Sequence, residues 1–410
     1  MRIAVFGSPR TPAGHPRILP GARRAAVAAL AAGSLLLSAG CSSNDDSENT
    51  QARPTGAPAT VPSASSSPPS SPPSAKGSVK VVSTLTEGLA SPWGLAELPG
   101  GDLLVSSRDG RTITRIDGST GKQTLLGTVP GVSPAGEGGL LGIAISPAFD
   151  TDHLLYAYFT TASDNRIARM RYDGTGKAPG RQLGAPHTIL RGIPKGYIHN
   201  GGRIAFGPDG MLYAGTGETG QTRELSQDKK SLAGKILRMT PDGRPAPGNP
   251  VPGSLMYSYG HRNVQGLAWD GQKRLWASEF GQDTWDELNQ IVPGGNYGWP
   301  KYEGKVGKAG FVDPVAQWRP SEASPSGIAF ARGSIWMAGL RGERLWRIPL
   351  SGSPGREPLA APQSFLQGKY GRLRTVLAAG GSRLWLVTSN TDTRGTPKPG
   401  DDRVLVLQVR

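Results

Sequence analysis

One pattern recurs six times between residues 93 and 389: a small or polar residue, two or three apolar residues, a turn, then a short β-rich run. The copies read WGLAELPGGDLLVSS, LGIAISPAFDTDHLLYAYF, GGRIAFGPDGMLYAGTG, QGLAWDGQKRLWASE, SGIAFARGSIWMAGL and RTVLAAGGSRLWLVTS. With Gly94, Gly142, Gly202, Gly266, Gly327 and Arg374 taken as equivalent, the spacings are 48, 60, 64, 61 and 47 residues. Each copy predicts a β-hairpin, because the PGG and PDG turns supply residues able to take positive φ between runs that favour strands. Further strand candidates fall between the copies: RTITRID, RIARMRYD, GKILRMTPDG and ERLWRIPL. No amphipathic helix of three turns follows the first 40 residues. Units of about four short strands repeated in a ring describe a β-propeller, here with six blades over residues 78–410. A pair of β-sandwiches would also supply the strands, but not their common hairpin.

The chain ahead of the repeats has another character. Residues 1–24 hold five arginines and no acid, and an apolar run ends at Cys41. Its sixteen residues, 25–40, are too few to span a bilayer, so residues 1–40 read as a secretory signal. Cys41 is the single cysteine, and LLLSAGC resembles a bacterial lipobox. Lipidation at Cys41 is therefore expected, with the exported chain anchored to the outer face of the membrane. No disulfide can form within one chain, so the fold must stand on its core. Residues 42–77 contain one large aliphatic side chain, Val61, and no aromatic. Such a Ser/Pro-rich stretch buries too little apolar surface to offset its ordering entropy and is expected to be a disordered tether. Without residues 1–40 the formal charge falls from +15 to +10. The remaining basic residues are scattered, so nucleic acid is not an expected partner.

Loops at the ends of the innermost strands converge on one face of a propeller, so function collects just before or after the first strand of each blade. They bring together His199, Arg262, Asn263, Arg341, Arg372 and Arg374, with Glu137 and Glu218. Several arginines around one channel repel each other unless an anion lies among them, and guanidinium forks suit carboxylates or phosphates. The expected ligand is polyanionic, and one imidazole beside it suits a general base near neutral pH.

The stretches HNGGRIAFGPDGMLYAGTGE, YGHRNVQGLAW, SEFGQDTWDELNQIVPGGNYGWP, GEGGLLGIAISPAF and GRLRTVL carry a resemblance. From about Val79 to Val409, in order, the chain resembles the soluble quinoprotein glucose and aldose sugar dehydrogenases. These are six-bladed propellers that use pyrroloquinoline quinone (PQQ) and calcium. The resemblance implies oxidation of aldoses to lactones, with electrons passed to an external acceptor. It implies His199 as the base toward the C1 hydroxyl, with Glu218 where an aspartate orients that histidine. It implies cofactor contacts by Arg262, Asn263, Trp318, Arg341, Arg372, Arg374 and position 137. Backbone carbonyls of Gly281 and Gln282 would hold the calcium beside PQQ, and Glu287 with the Tyr297 carbonyl a second calcium.

Three positions depart from the family pattern. Glu137 stands where a glutamine is usual, and a carboxylate there repels an anionic cofactor unless it is protonated or turned away. Glu218 is longer than the usual aspartate, and Arg341 replaces a lysine. Ile198 stands where glucose-specific members carry an acid, so glucose need not be the preferred sugar. Two other functions fit a six-bladed propeller: a calcium-dependent lactonase, and a non-catalytic surface module binding a sugar or a partner.

Overall fold

The computed structural model describes residues 74–174, 178–351 and 358–410. The signal, Cys41 and the tether up to residue 73 lie outside the described residues. Six four-stranded antiparallel sheets make up the structure. Blade one holds Pro92–Glu97, Leu103–Ser107, Thr112–Ile116 and Gln123–Thr128, and blade two Leu140–Ile145, Leu154–Thr160, Asn165–Arg171 and His187–Ile193. Blade three holds Ile204–Phe206, Leu212–Gly215, Lys235–Met239 and Met256–Tyr259, and blade four Val264–Trp269, Leu275–Glu279, Asp286–Ile291 and Ala316–Trp318. Blade five holds Pro325–Ala331, Ser334–Gly339, Arg344–Pro349 and Gln363–Phe365. Blade six is built from both ends of the domain. Leu373–Ala378, Arg383–Thr388 and Val404–Val409 are joined at the edge by Val79–Thr86. All six hairpins of the repeat are present, and the four intervening candidates are third strands.

Each sheet has apolar side chains on both faces, so burial takes place between blades. Six apolar clusters result, one at each junction of neighbouring blades, including the junction of blades six and one that closes the ring. The recurring glycine has a steric cause. A Cβ on Gly142 would lie 2.2 Å from the Gly202 carbonyl oxygen, and one on Gly266 would lie 2.4 Å from that of Ser326. Innermost strands of adjacent blades approach too closely there for any side chain.

Strand pairing corrects the repeat at two positions. Leu95, Ile143, Ile204, Leu267, Ile328 and Val376 occupy matching places opposite the second strands. The residues before them are Gly94, Gly142, Arg203, Gly266, Gly327 and Thr375. Gly202 and Arg374 are therefore each one place early, because a glycine-based alignment has no glycine to find in the third and sixth copies. The last residues of the expected tether touch the domain. Arg347, fully buried, donates to the Ser74 and Ala75 carbonyls at 2.6 and 3.3 Å, and the Gly77 N–H donates to Gln363 Oε1 at 2.9 Å. Ser74, Ala75 and Gly77, which fall within the expected tether, are thus tied to blade five.

Candidate active site

One mouth of the central channel opens into a cavity of about 570 Å³. Its wall includes Glu137, Ile198, His199, Arg262, Gly281, Gln282, Arg341, Arg372 and Arg374, so the expected residues come together from five blades.

His199 reaches the wall through local backbone geometry. Its φ is +57°, and Gly201 follows at +63°, where a Cβ would lie 2.5 Å from the Gly215 carbonyl oxygen. The chain turns under the imidazole only because Gly201 has no side chain. Glu218 Oε1 lies 2.6 Å from His199 Nδ1, and both residues are buried. The longer acid therefore does reach. Its carboxylate fixes the proton on Nδ1, which leaves Nε2 as the lone-pair nitrogen toward the cavity. Glu137 lines the cavity, but both its carboxylate oxygens are engaged within the protein. Its Oε2 accepts the His199 N–H at 2.9 Å, and its Oε1 pairs with Arg394 Nη2 at 2.9 Å.

The arginines are partly balanced by the chain itself. Asp392 Oδ2 accepts from Arg372 at 3.0 Å and from Arg374 at 2.8 Å. Burial raises the Asp392 carboxyl, but these two guanidinium groups outweigh it and hold it down to about 2. Arg374 also donates to Gln265 Oε1 at 3.1 Å and is itself pushed down to about 10 by burial. Arg262 Nη1 donates to the Phe280 carbonyl at 3.3 Å, while its Nε is buried without a partner. Arg341 stands exposed at the rim. Across the wall, Arg108, Arg262, Arg341, Arg372, Arg374 and Arg394 outnumber the acids Glu137, Asp286 and Asp392, with Asp109 paired to Arg108 behind it, so the balance is positive. Such a surplus suits a tricarboxylate, so the residues present fit PQQ.

Two expected cofactor contacts are placed elsewhere. Trp318 is packed in the apolar cluster of blades four and five, 5.5 Å from Trp346, and is not part of the wall. It lies on the outermost strand of its blade, too far from the channel; the wall's tryptophan is Trp93. Asn263 is fully buried below the wall, where its Oδ1 accepts the Gly201 N–H at 2.9 Å. It braces the turn that carries His199. Trp93, Arg108, Gln265, Asp286, Asp392 and Arg394 were not found from the sequence. Arg108 and Asp392 follow the second strands of blades one and six. In an antiparallel hairpin that end lies beside the start of the first strand, and this signal would have found both.

The loop at Gly281 and Gln282 is tied back by its N–H groups, to Asp286 Oδ1 at 2.9 Å and to Glu303 Oε1 at 2.7 Å. Burial pushes the Asp286 carboxyl up to about 7. Behind this loop a small closed void is lined by Glu279, Glu287, Glu303, Tyr297 and Arg262. Burial, and then Glu279, push Glu287 up to about 8, and nearby Asn289 Oδ1 is buried without a donor. Three carboxyl groups drawn together, with burial and then repulsion among them pushing Glu287 up, offer clustered oxygen donors that fit a hard cation such as calcium. Among the described residues no three His, Cys, Asp or Glu side chains are arranged to hold a metal alone. A cation here depends on backbone carbonyls as well.

Residues 89–396 match the glucose/sorbosone dehydrogenase family. A PQQ-bound aldose sugar dehydrogenase from Streptomyces coelicolor superposes with a TM-score of 0.81 at 72% identity, over 82% of this chain and all of that one. An aldose sugar dehydrogenase of Escherichia coli is 32% identical over 61% of this chain and 72% of its own length. Quinoprotein glucose dehydrogenase B of Acinetobacter calcoaceticus is 30% identical over 57% of this chain and 54% of its own.

Proposed function

We propose that this chain, which belongs to the glucose/sorbosone dehydrogenase family and is a PQQ-dependent sugar dehydrogenase, oxidises aldoses at C1 to lactones with His199 as the base. The observation that carries this reading is the His199–Glu218 pair, 2.6 Å apart, at the wall of a cavity with surplus arginine.

Bound PQQ supplies a hydride acceptor, and a calcium ion beside it supplies Lewis-acid polarisation. The protein's own contribution starts with Arg372 and Arg374, which Asp392 holds in fixed orientation toward carboxylates. Arg262 offers an unpaired Nε at the floor. His199 Nε2 takes the proton of the sugar C1 hydroxyl, and Glu218 stabilises the imidazolium that results. Oxidation at C1 releases two electrons, which an external acceptor must remove for turnover. Gly281 and Gln282 would hold calcium at the cofactor through their carbonyls, and Glu287 and Tyr297 a second ion in the void behind.

Titration of the purified protein with PQQ and calcium, followed by a panel of aldoses, tests the reading. Binding followed by sugar-dependent bleaching of the quinone absorbance is expected. A folded protein that binds no PQQ would sink it. His199→Ala should bind PQQ normally yet lose at least about 100-fold in kcat.

The reading extends to location. Export and lipid anchoring through Cys41 follow from the N-terminal sequence, and fatty-acid labelling lost in Cys41→Ser is the result expected. Labelling that persists in Cys41→Ser would refute it.

A further inference from the structure

Four blades place glycine at the innermost position that precedes the matching Leu, Ile or Val of each first strand, and blade six places Thr375 there. Blade three places Arg203. Its side chain crosses the channel. Nε donates to the Gln265 carbonyl of blade four at 2.7 Å, and Nη2 to Thr375 Oγ1 of blade six at 3.1 Å. The guanidinium lies 4.4 Å from the ring centre of Trp93 in blade one. Trp93 and Gln265 line the active-site cavity, whereas Arg203 and Thr375 line a second cavity of about 310 Å³ at the opposite mouth. Arg203 is the partition between the two.

The partition carries an uncompensated charge. Arg203 is 7% exposed, and its partners among the described residues are the Gln265 carbonyl, the Thr375 hydroxyl and the Trp93 ring, with no carboxylate in an ion pair. Burial, and then the nearby Arg374, push its pKa down to about 9. Two guanidinium groups therefore share the floor of the funnel with one acid, Asp392, which is already bonded to Arg372 and Arg374. A side chain needed only to fill the channel would be more stable there without its charge, because an unpaired buried cation is destabilising. The charge makes sense as half of an interaction whose other half is the anion in the cavity above Trp93.

We propose that Arg203 is a positioning residue, a second-layer cation that draws the anionic cofactor to the floor of the funnel through the Trp93 ring; this rests on the reading that the cavity binds PQQ. Arg372 and Arg374 act at the carboxylates from the side. Arg203 acts from below, without contact, and in a water-poor channel its field is weakly screened.

The test is the Kd of the purified protein for PQQ, read from quenching of tryptophan fluorescence at fixed calcium. Arg203→Gln removes the charge and keeps a donor toward the Gln265 carbonyl. Arg203→Met is a second neutral variant should the first not fold, and Arg203→Lys keeps the charge without the fork. The neutral variants should bind PQQ about tenfold more weakly or worse, and Arg203→Lys within about threefold of wild type. Neutral variants within threefold of wild type would overturn the proposal. So would an equal loss in Arg203→Lys, because the shape of the plug, not its charge, would then be what matters. Failure of the wild-type protein to bind PQQ would instead remove the functional reading, and this inference with it.

Discussion

Replacing Glu218 by glutamine isolates the electrostatic part of the His199 machinery. The carboxylate lies 2.6 Å from Nδ1 and is 1% exposed, so water screens it little. Its importance rises when His199 takes a proton, since a carboxylate bonded to a neutral ring becomes a buried ion pair. Charge centres about 4 Å apart at an effective dielectric of about 20 attract by about 4 kcal/mol. A glutamine oxygen still accepts the Nδ1–H bond and recovers part of that, which leaves a net loss of about 2–3 kcal/mol. That converts to a fall in kcat of roughly 30- to 150-fold. Glu218 is not part of the cavity wall, so PQQ affinity and KM for the sugar should stay within about threefold. Glu218→Asp shortens the arm by about 1.5 Å, opens the contact beyond hydrogen-bond reach and should cost about tenfold in kcat. Single-turnover reduction of bound PQQ, followed by stopped flow, reads the chemical step directly. If Glu218→Gln kept kcat within threefold of wild type, the base would not depend on its carboxylate and the assigned role would be wrong.

Other expectations concern stability and metal. Asp392 has its carboxyl held at about 2, below the ordinary 3.8, so its stabilisation is present above pH 4 and is lost as pH falls toward 2. Acid denaturation of the apo-protein should show about 2 kcal/mol of this loss, absent in Asp392→Asn. Lys235, fully buried, donates to the carbonyls of Leu225, Ser226 and Ala233 at 2.7, 3.0 and 2.6 Å. Lys235→Met leaves all three without that donor and should lower stability by about 2–4 kcal/mol in urea unfolding. Gly142→Ala forces a Cβ against the Gly202 carbonyl and should destabilise by about 2 kcal/mol or more, seen as a lower Tm. Chelating calcium should lower both Tm and activity, and Glu287→Gln should weaken the metal's effect on Tm. No change in either on chelation would remove the cation sites.

The blades were legible because a hairpin is a local object. Turn residues, strand residues and the close-approach glycine lie within about twenty positions, and each copy repeats them. The register of the third and sixth copies was not, because Arg203 and Thr375 replace the marker by residues whose reason lies across the channel. The same division runs through the site. His199, Arg262 and Arg372 sit next to first strands, where the repeat points. Asp392, Arg108 and Arg394 sit beyond second strands, and the Arg394–Glu137 pair and the Arg108 bond to the Asp392 carbonyl join distant parts of the chain that no spacing reveals. Trp318 shows the opposite failure: an aromatic at a suggestive place in the sequence is carried outward by strand order. Glu137 looked hostile to an anion because Arg394, 257 residues away, could not be seen beside it.

The closure of blade six has a mechanical consequence. Val79–Thr86 runs antiparallel to Val404–Val409 at the edge of the ring, and Ser78 and Arg410 exchange backbone hydrogen bonds at 3.1 Å. Force applied at Ser74 loads the Arg347 clamp and then the edge ladder in shear, with many hydrogen bonds strained at once. A pull on Arg410 loads the same ladder from its other strand. The strand that completes the ring and the strand that a pull from either end loads are therefore one element, so the domain's two ends resist force together.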